Sequence, residues 1–144
     1  MFIGEYSHNL DAKGRIIIPS KFRDELHTTF ILTRGFDGCL TIYSLEQWEK
    51  LFKEVNKLPT TKKDARQYIH VLTARACECT LDNQGRIQIP SFLSKPVNLT
   101  KECVIVGVND HVEIWDKDTW NKYYDEAAGS FEEVAENLSE FLND

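Results

Sequence analysis

Apolar residues recur along this chain in two rhythms. Short β-branched runs with a period of two read as strands, and apolar residues three and four apart read as helices. "RIIIP" (Arg15–Pro19) and "RIQIP" (Arg86–Pro90) are β-branched strands closed by proline. "GEYSHNL" alternates weakly before the first of them. "FILTR" and "CVIVGV" are continuous apolar runs and read as buried strands, whereas "CLTIYS" and "HVEIWD" alternate and read as half-exposed ones. Helix starts are also legible. Ser44-x-x-Gln47 has the capping-box pattern, followed by a stripe of Leu45, Trp48, Leu51, Phe52 and Val55. Asp116 opens a matching helix with Trp120, Tyr123, Tyr124 and Ala127. Pro59 and Thr61-x-x-Asp64 open a linker helix with Ala65, Tyr68, Ile69 and Leu72, and Ser130-x-x-Glu133 opens a C-terminal one with Phe131, Val134, Leu138, Phe141 and Leu142. Aromatic stripes of this kind are explained by core or interface packing rather than by a cofactor.

The same pattern occurs twice. "LDAKGRIIIP" (Leu10–Pro19) and "LDNQGRIQIP" (Leu81–Pro90) share seven of ten residues at an offset of 71. Further on, "RGFDGCLTIYSLEQWEKLF" aligns with "VGVNDHVEIWDKDTWNKYY" at an offset of 72, matching Gly35 with Gly107, Ile42 with Ile114 and Trp48 with Trp120. Each unit reads strand, turn, strand, loop, strand, turn, strand, helix. A solenoid needs three or more repeats, so two copies point to a pseudo-two-fold pair sharing one core. Comparison of the copies also separates the faces. Ile16 and Ile18 stay isoleucine as Ile87 and Ile89, but Ile17 becomes Gln88, so the outer two should point inward and the middle one outward.

Composition narrows the function classes. The 144 residues are 42% hydrophobic and 28% charged, which suits a globular core and not a disordered chain. No apolar run approaches a membrane span, and the N-terminus lacks a basic leader and a signal-peptide core, so a cytoplasmic location is expected. Cys39, Cys77, Cys79 and Cys103 do not form a disulfide framework, and with four scattered histidines they lack metal-site spacing. No metal and no cofactor are expected. The net charge of −6 argues against nucleic acid until its distribution is read. Residues 110–144 hold 11 acids and 2 bases, a balance of −9, while residues 1–109 hold 15 bases and 12 acids, a balance of +3. An acidic tail on a mildly basic body leaves room for a local basic patch.

The repeated Asp-x-x-Gly-Arg step is the candidate site. An Asp at the first turn position accepts bonds from the turn backbone, and Gly at the fourth takes positive φ. Asp11–Gly14 and Asp82–Gly85 therefore read as tight β-turns or short hairpin loops. Arg15 and Arg86 precede inward isoleucines and should point outward. Each is either paired with its turn aspartate or held as a forked donor for a phosphate or guanine edge. Lys13, Lys21 and Arg23 add charge in the first copy, where the second has Gln84, Phe92 and Ser94, so the first copy looks like the stronger anion contact. No glycine-rich phosphate loop, nucleophile elbow or metal-helix motif is present, and Asp11 and Asp82 are better explained by their turns than as an acid–base pair. An enzyme is not expected.

"MFIGEYSHNLDAKGRIIIPSKFR" together with "LDNQGRIQIP" resembles the MraZ family, whose hallmark is a duplicated Asp-x-x-x-Arg, here Asp11…Arg15 and Asp82…Arg86. "LPTTKKDAR" and "NLTKECVIVGVNDHVEIWD" extend the resemblance over essentially the whole chain. The resemblance implies an α+β fold: a swapped-hairpin AbrB-like β-barrel formed by two tandem repeats with packing helices. Residues 1–55 would be the first repeat, 56–76 a linker helix, 77–128 the second repeat and 129–144 an acidic C-terminal helix. It further implies a closed-ring homo-oligomer associated with the nucleoid. Such a ring would regulate the promoter of the division and cell-wall gene cluster by binding short direct repeats in double-stranded DNA. Arg15, Arg86 and Lys13 would carry DNA binding; Lys21 and Arg23 are added from charge and position. The alternative is a ring-shaped protein scaffold, or a partner of a neighbouring methyltransferase, without catalysis.

Overall fold

In the computed structural model, which describes residues 1–142, the strand pattern builds one large sheet and one small ribbon. The first half supplies β1 (Phe2–Asn9), β2 (Arg15–Ile17), α1 (Ser20–Leu26), β3 (Thr29–Arg34), β4 (Leu40–Ser44) and α2 (Leu45–Val55). After α3 (Lys63–Ala74) the second half repeats them as β5 (Cys77–Thr80), β6 (Arg86–Gln88), α4 (Ser91–Ser94), β7 (Glu102–Asn109), β8 (His111–Asp116) and α5 (Lys117–Gly129), followed by α6 (Phe131–Asn137). The strands are antiparallel, in a six-stranded sheet of order β1-β7-β8-β4-β3-β5 and a two-stranded ribbon of β2 and β6.

The two halves exchange their first strands. β1 pairs along its whole length with β7 of the second half, and β5 pairs with β3 of the first. The registers reveal a pseudo-two-fold axis. Thr41 faces Glu113 across β4 and β8, an offset of 72, and Ile16 faces Ile87 across β2 and β6, an offset of 71. Each is the other's counterpart in the repeat, so the axis passes through both pairs. The expected barrel does not close among the described residues. β1 and β5 remain the edges of the large sheet, because the β2–β6 ribbon lies beside them as a separate sheet.

Alternation along the strands sends side chains to two cores. Ile105 and Ile114 join Ile16, Ile87, Phe22 and Leu93 beneath the ribbon. Val104, Val106 and Trp115 face the other way and pack with Trp120 of α5. Ile16 and Ile18 are buried and Ile17 is 38% exposed, as the comparison of the copies requires. β4 and β8 are more buried than half-exposed strands should be, since α2 and α5 cover their second face.

Helix starts follow their capping chemistry unevenly. Ser44 Oγ accepts from the Gln47 amide at 3.2 Å, and Asp116 Oδ2 accepts from the Thr119 amide at 3.4 Å. Thr61-x-x-Asp64 does not cap α3. The Lys62 amide bonds back to Pro59 O, which shifts the start past Thr61 and leaves Lys62 as the cap. Ser130 is no capping box either. Its Oγ donates to Glu126 O, so α6 continues α5 across a bend. The C-terminal helix ends at Asn137, and the part of its expected range at residues 143–144 lies outside the described residues. The sequence pattern predicts loops after Pro19 and Pro90; instead the short helices α1 and α4 begin there and bury Phe22, Leu26 and Leu93.

Candidate nucleic-acid interface

The two Asp-x-x-Gly-Arg steps fold identically. The Gly14 amide donates to Asp11 O and the Gly85 amide to Asp82 O, both at 3.0 Å, closing the turns. Gly14 and Gly85 have φ of 77° and 73°, where a side chain is strained. Asp11 Oδ1 accepts from the Lys13 and Arg15 amides at 2.9 and 2.8 Å, and Oδ2 accepts from Arg15 Nε at 2.7 Å. Asp82 repeats this with Gln84, Arg86 and Arg86 Nε at 2.9, 2.9 and 2.8 Å. These bonds, led by the arginine amide, hold both carboxyls below the usual carboxylate range.

The hairpins lock onto each other. The Ile18 amide donates to Gly85 O at 2.9 Å and the Ile89 amide to Gly14 O at 2.7 Å. Between them β2 and β6 pair Arg15 with Gln88 and Ile17 with Arg86. With Ile16 and Ile87 turned into the core, these four residues form the outward face of the ribbon. Arg15 and Arg86 are diagonal neighbours across the axis, at a spacing of about 7–8 Å along such a ribbon.

The pairing with aspartate and an open fork are therefore compatible. Each Nε is spent on its aspartate, which fixes the direction of the guanidinium. Among the described residues neither Arg15 nor Arg86 donates a hydrogen bond from an Nη atom, and their side chains are 32% and 24% exposed. The result is a pair of preoriented forks whose outer donors are open to a partner.

Arg23 changes the balance read from sequence. Its Nε donates to Ile18 O at 2.8 Å, and its guanidinium lies over Gly85, where an added Cβ would come within 2.2 Å of Cζ. A cation of the first copy thus covers the turn of the second, replacing what Ser94 cannot supply. The first hairpin holds Arg15 and exposed Lys13, the second Arg86 and Arg23, so the first copy does not monopolise the charge. Lys21 is exposed on α1 and lines a shallow concavity of about 250 Å³ with His8, Ile17 and Arg23. Burial first, and the positive charge of Arg23 second, lower the His8 pKa.

Sequence reasoning passes over two residues at this face. Gln88 closes the outward side, its Nε2 donating to Lys13 O at 3.0 Å; its signal is the Ile17-to-Gln88 change. His8 offers no signal, since its place depends on β1 crossing beside α1.

A family model described as "MraZ protein, putative antitoxin-like" matches residues 1–69 and 72–142. The chain belongs to the MraZ family. The match falls in two tandem stretches, one on each copy of the repeat. MraZ membership supports a regulator-type role in general, and the family is not a known enzyme family.

All four cysteines are free thiols; burial pushes Cys79 and Cys103 up to about 11 and Cys39 higher still, so they are poor nucleophiles. Among the described residues no group of three or more His, Cys, Asp or Glu side chains is placed to hold a metal ion. No helix among them is long and apolar enough to cross a membrane.

Proposed function

We propose that the chain is a sequence-specific DNA-binding transcriptional regulator of the division and cell-wall gene cluster promoter. It acts in the cytoplasm at the nucleoid, as a closed-ring homo-oligomer that engages short direct repeats. The observation that carries this reading is the pair of preoriented arginines, Arg15 and Arg86, on one outward face with their Nη donors open. A fork with two parallel donors suits the O6 and N7 acceptors of guanine in the major groove. Lys13, Lys21 and Arg23 surround the forks and suit phosphates. Behind them the large sheet separates this face from α5, so the carboxylates of that helix lie on the far side of the sheet from the arginines.

We read the exchange of β1 and β5 between halves as the swapped-hairpin arrangement of AbrB-like proteins, completed within one chain. A ring of such chains multiplies a weak contact. One protomer offers few phosphate contacts, so its affinity is low at physiological salt. Once one hairpin pair is bound, later ones engage at high effective concentration. Boxes spaced about 10 bp apart keep the groove on one side of the duplex. Bending DNA to a curved rim costs on the order of 1–6 kcal/mol, which the added contacts must exceed.

Fluorescence anisotropy and footprinting with DNA upstream of the chain's own gene test this. Wild-type protein should protect direct repeats about one helical turn apart. Arg15→Ala should lose the preference for that DNA over an unrelated duplex while keeping its oligomeric mass. An Arg15→Ala protein with wild-type affinity, or protection of a lone palindrome, would remove the hairpins from DNA recognition.

A further inference from the structure

The second copy leaves an apolar face uncovered. α3 and α6 occupy corresponding places after α2 and α5. α3 packs against β3, burying Leu72 and accepting a hydrogen bond at Leu72 O from Thr33 Oγ1 at 2.7 Å. α6 does not do this. Along it and the turns that follow, Phe131 and Phe141 are 71% and 75% exposed, with Val134 and Leu138 exposed between them. Spacings of three and four put Phe131, Val134 and Leu138 on one face of the helix and its C-cap, and Phe141 follows in the turns beyond it. Around them stand Glu132, Glu133, Glu136 and Glu140.

Elsewhere on the molecule is a groove of the opposite charge. It lies between α3 and α4, has a volume of about 280 Å³, and is floored by Val71, Ala74, Phe92 and Leu93. Val71 is 58% exposed, an unusual position for a valine on a packed helix. Arg34, His70 and Arg75 border it, with Arg75 Cζ 5.9 Å from the Phe92 ring centre.

We infer that the acidic apolar face of α6 docks in the basic apolar α3–α4 groove of a second copy of this chain. An apolar stripe flanked by carboxylates matches an apolar floor flanked by the Arg34 and Arg75 guanidiniums in both respects. The two surfaces are different, so the contact is heterologous: a chain that fills its neighbour's groove keeps its own groove for a third chain. Contacts of that kind close into a ring when the rotation divides a full turn. This deepens the ring reading proposed above and rests on it. It places the interface on elements that do not carry the arginine forks.

Native mass spectrometry of the full chain and two variants tests it. Val71→Glu blocks the groove, and Phe131→Ser/Phe141→Ser blocks the helix; all three positions are exposed, so the fold should keep its circular dichroism and melting temperature. Each variant alone should fall to the mass of one chain. Mixed in equal amounts they should form a complex of two chains and nothing larger, because only one intact groove meets one intact helix. A wild-type oligomer that either variant leaves unchanged overturns the inference while the ring stands. Monomeric variants that stay apart when mixed also overturn it. A monomeric wild type removes the ring and this interface together. Anisotropy with a duplex carrying one box keeps the DNA reading separate: both variants should bind it as one wild-type protomer does.

Discussion

Each turn aspartate does two jobs with two oxygens. Oδ1 fixes the backbone of the turn and Oδ2 fixes the arginine that leaves it, so a flexible side chain arrives at the surface already oriented. That lowers the ordering cost of binding a planar acceptor pair. The glycines are equally constrained. Gly14→Ala and Gly85→Ala both meet positive φ, a cost of about 1–2 kcal/mol each; Gly85→Ala also meets the Arg23 guanidinium, and Gly14→Ala meets Ile89 O at 3.0 Å. Urea titration should therefore show both variants destabilised, and Gly85→Ala should in addition weaken DNA binding by displacing Arg23. A melting loss without any change in affinity would separate Arg23 from the interface. His111 gives a pH signature away from this face. Burial by itself lowers its pKa, but hydrogen bonds to Glu113 and Asp110 at 2.9 and 2.7 Å outweigh that and leave it raised above 6.5. A raised folded-state value stabilises fully below the unfolded value and is lost as pH climbs through the folded one. Thermal melts from about pH 6 to about pH 9, starting near the ordinary histidine value, should thus show wild type losing stability relative to His111→Gln as pH rises. A constant gap between the two across that range would refute the assignment.

At the scale of elements, α1 is the piece that ties the candidate face to the core. Phe22 makes edge-on contacts with Phe2 and Tyr6 of β1 at ring-centre distances of 5.6 and 5.3 Å, and one residue later Arg23 reaches the second hairpin. Phe22→Ala should cost about 3–5 kcal/mol in denaturant unfolding, the usual range for an aromatic removed from a packed core. A loss below about 1 kcal/mol would mean that α1 is not held by this residue. α1 is also hard to read from sequence. Its seven residues, "SKFRDEL", carry only two apolar positions, too few for a periodicity to stand out from a loop. The strands are more legible because the repeat supplies a second reading of each: Ile17 against Gln88 decides which way the ribbon faces. Capping patterns hold where the chain enters the helix from an extended strand, at Ser44 and Asp116, and fail where a turn or a preceding helix leads in, at Thr61 and Ser130. The turn aspartates, glycines and outward arginines are legible because their chemistry is local. The station of Arg23 over Gly85 is not, since it depends on how two hairpins 71 positions apart meet.

For the whole molecule, the exchange of β1 and β5 makes each half depend on the other. β1 has no strand partner in the first half among the described residues, and the edge of β3 is completed only by β5. The ribbon is shared as well, because β2 pairs with β6 and each turn carbonyl accepts from the other hairpin. Cutting the chain between the halves would expose Ile16, Ile87, Ile105 and Ile114 together, since all four belong to the core beneath the ribbon. The two halves are therefore one cooperative unit despite their tandem sequence. Two fragments, residues 1–75 and 76–144, make this measurable. Neither should show native circular dichroism as a monomer, and mixing them should restore the native spectrum with a single unfolding transition. The mixed complex should also regain DNA affinity, because Arg15 and Arg86 reach one outward face only when β2 and β6 pair. If either fragment folds alone as a monomer with a cooperative melt, the strand exchange is not what binds the halves, and the arginine pair would lose the rigid frame on which its orientation depends.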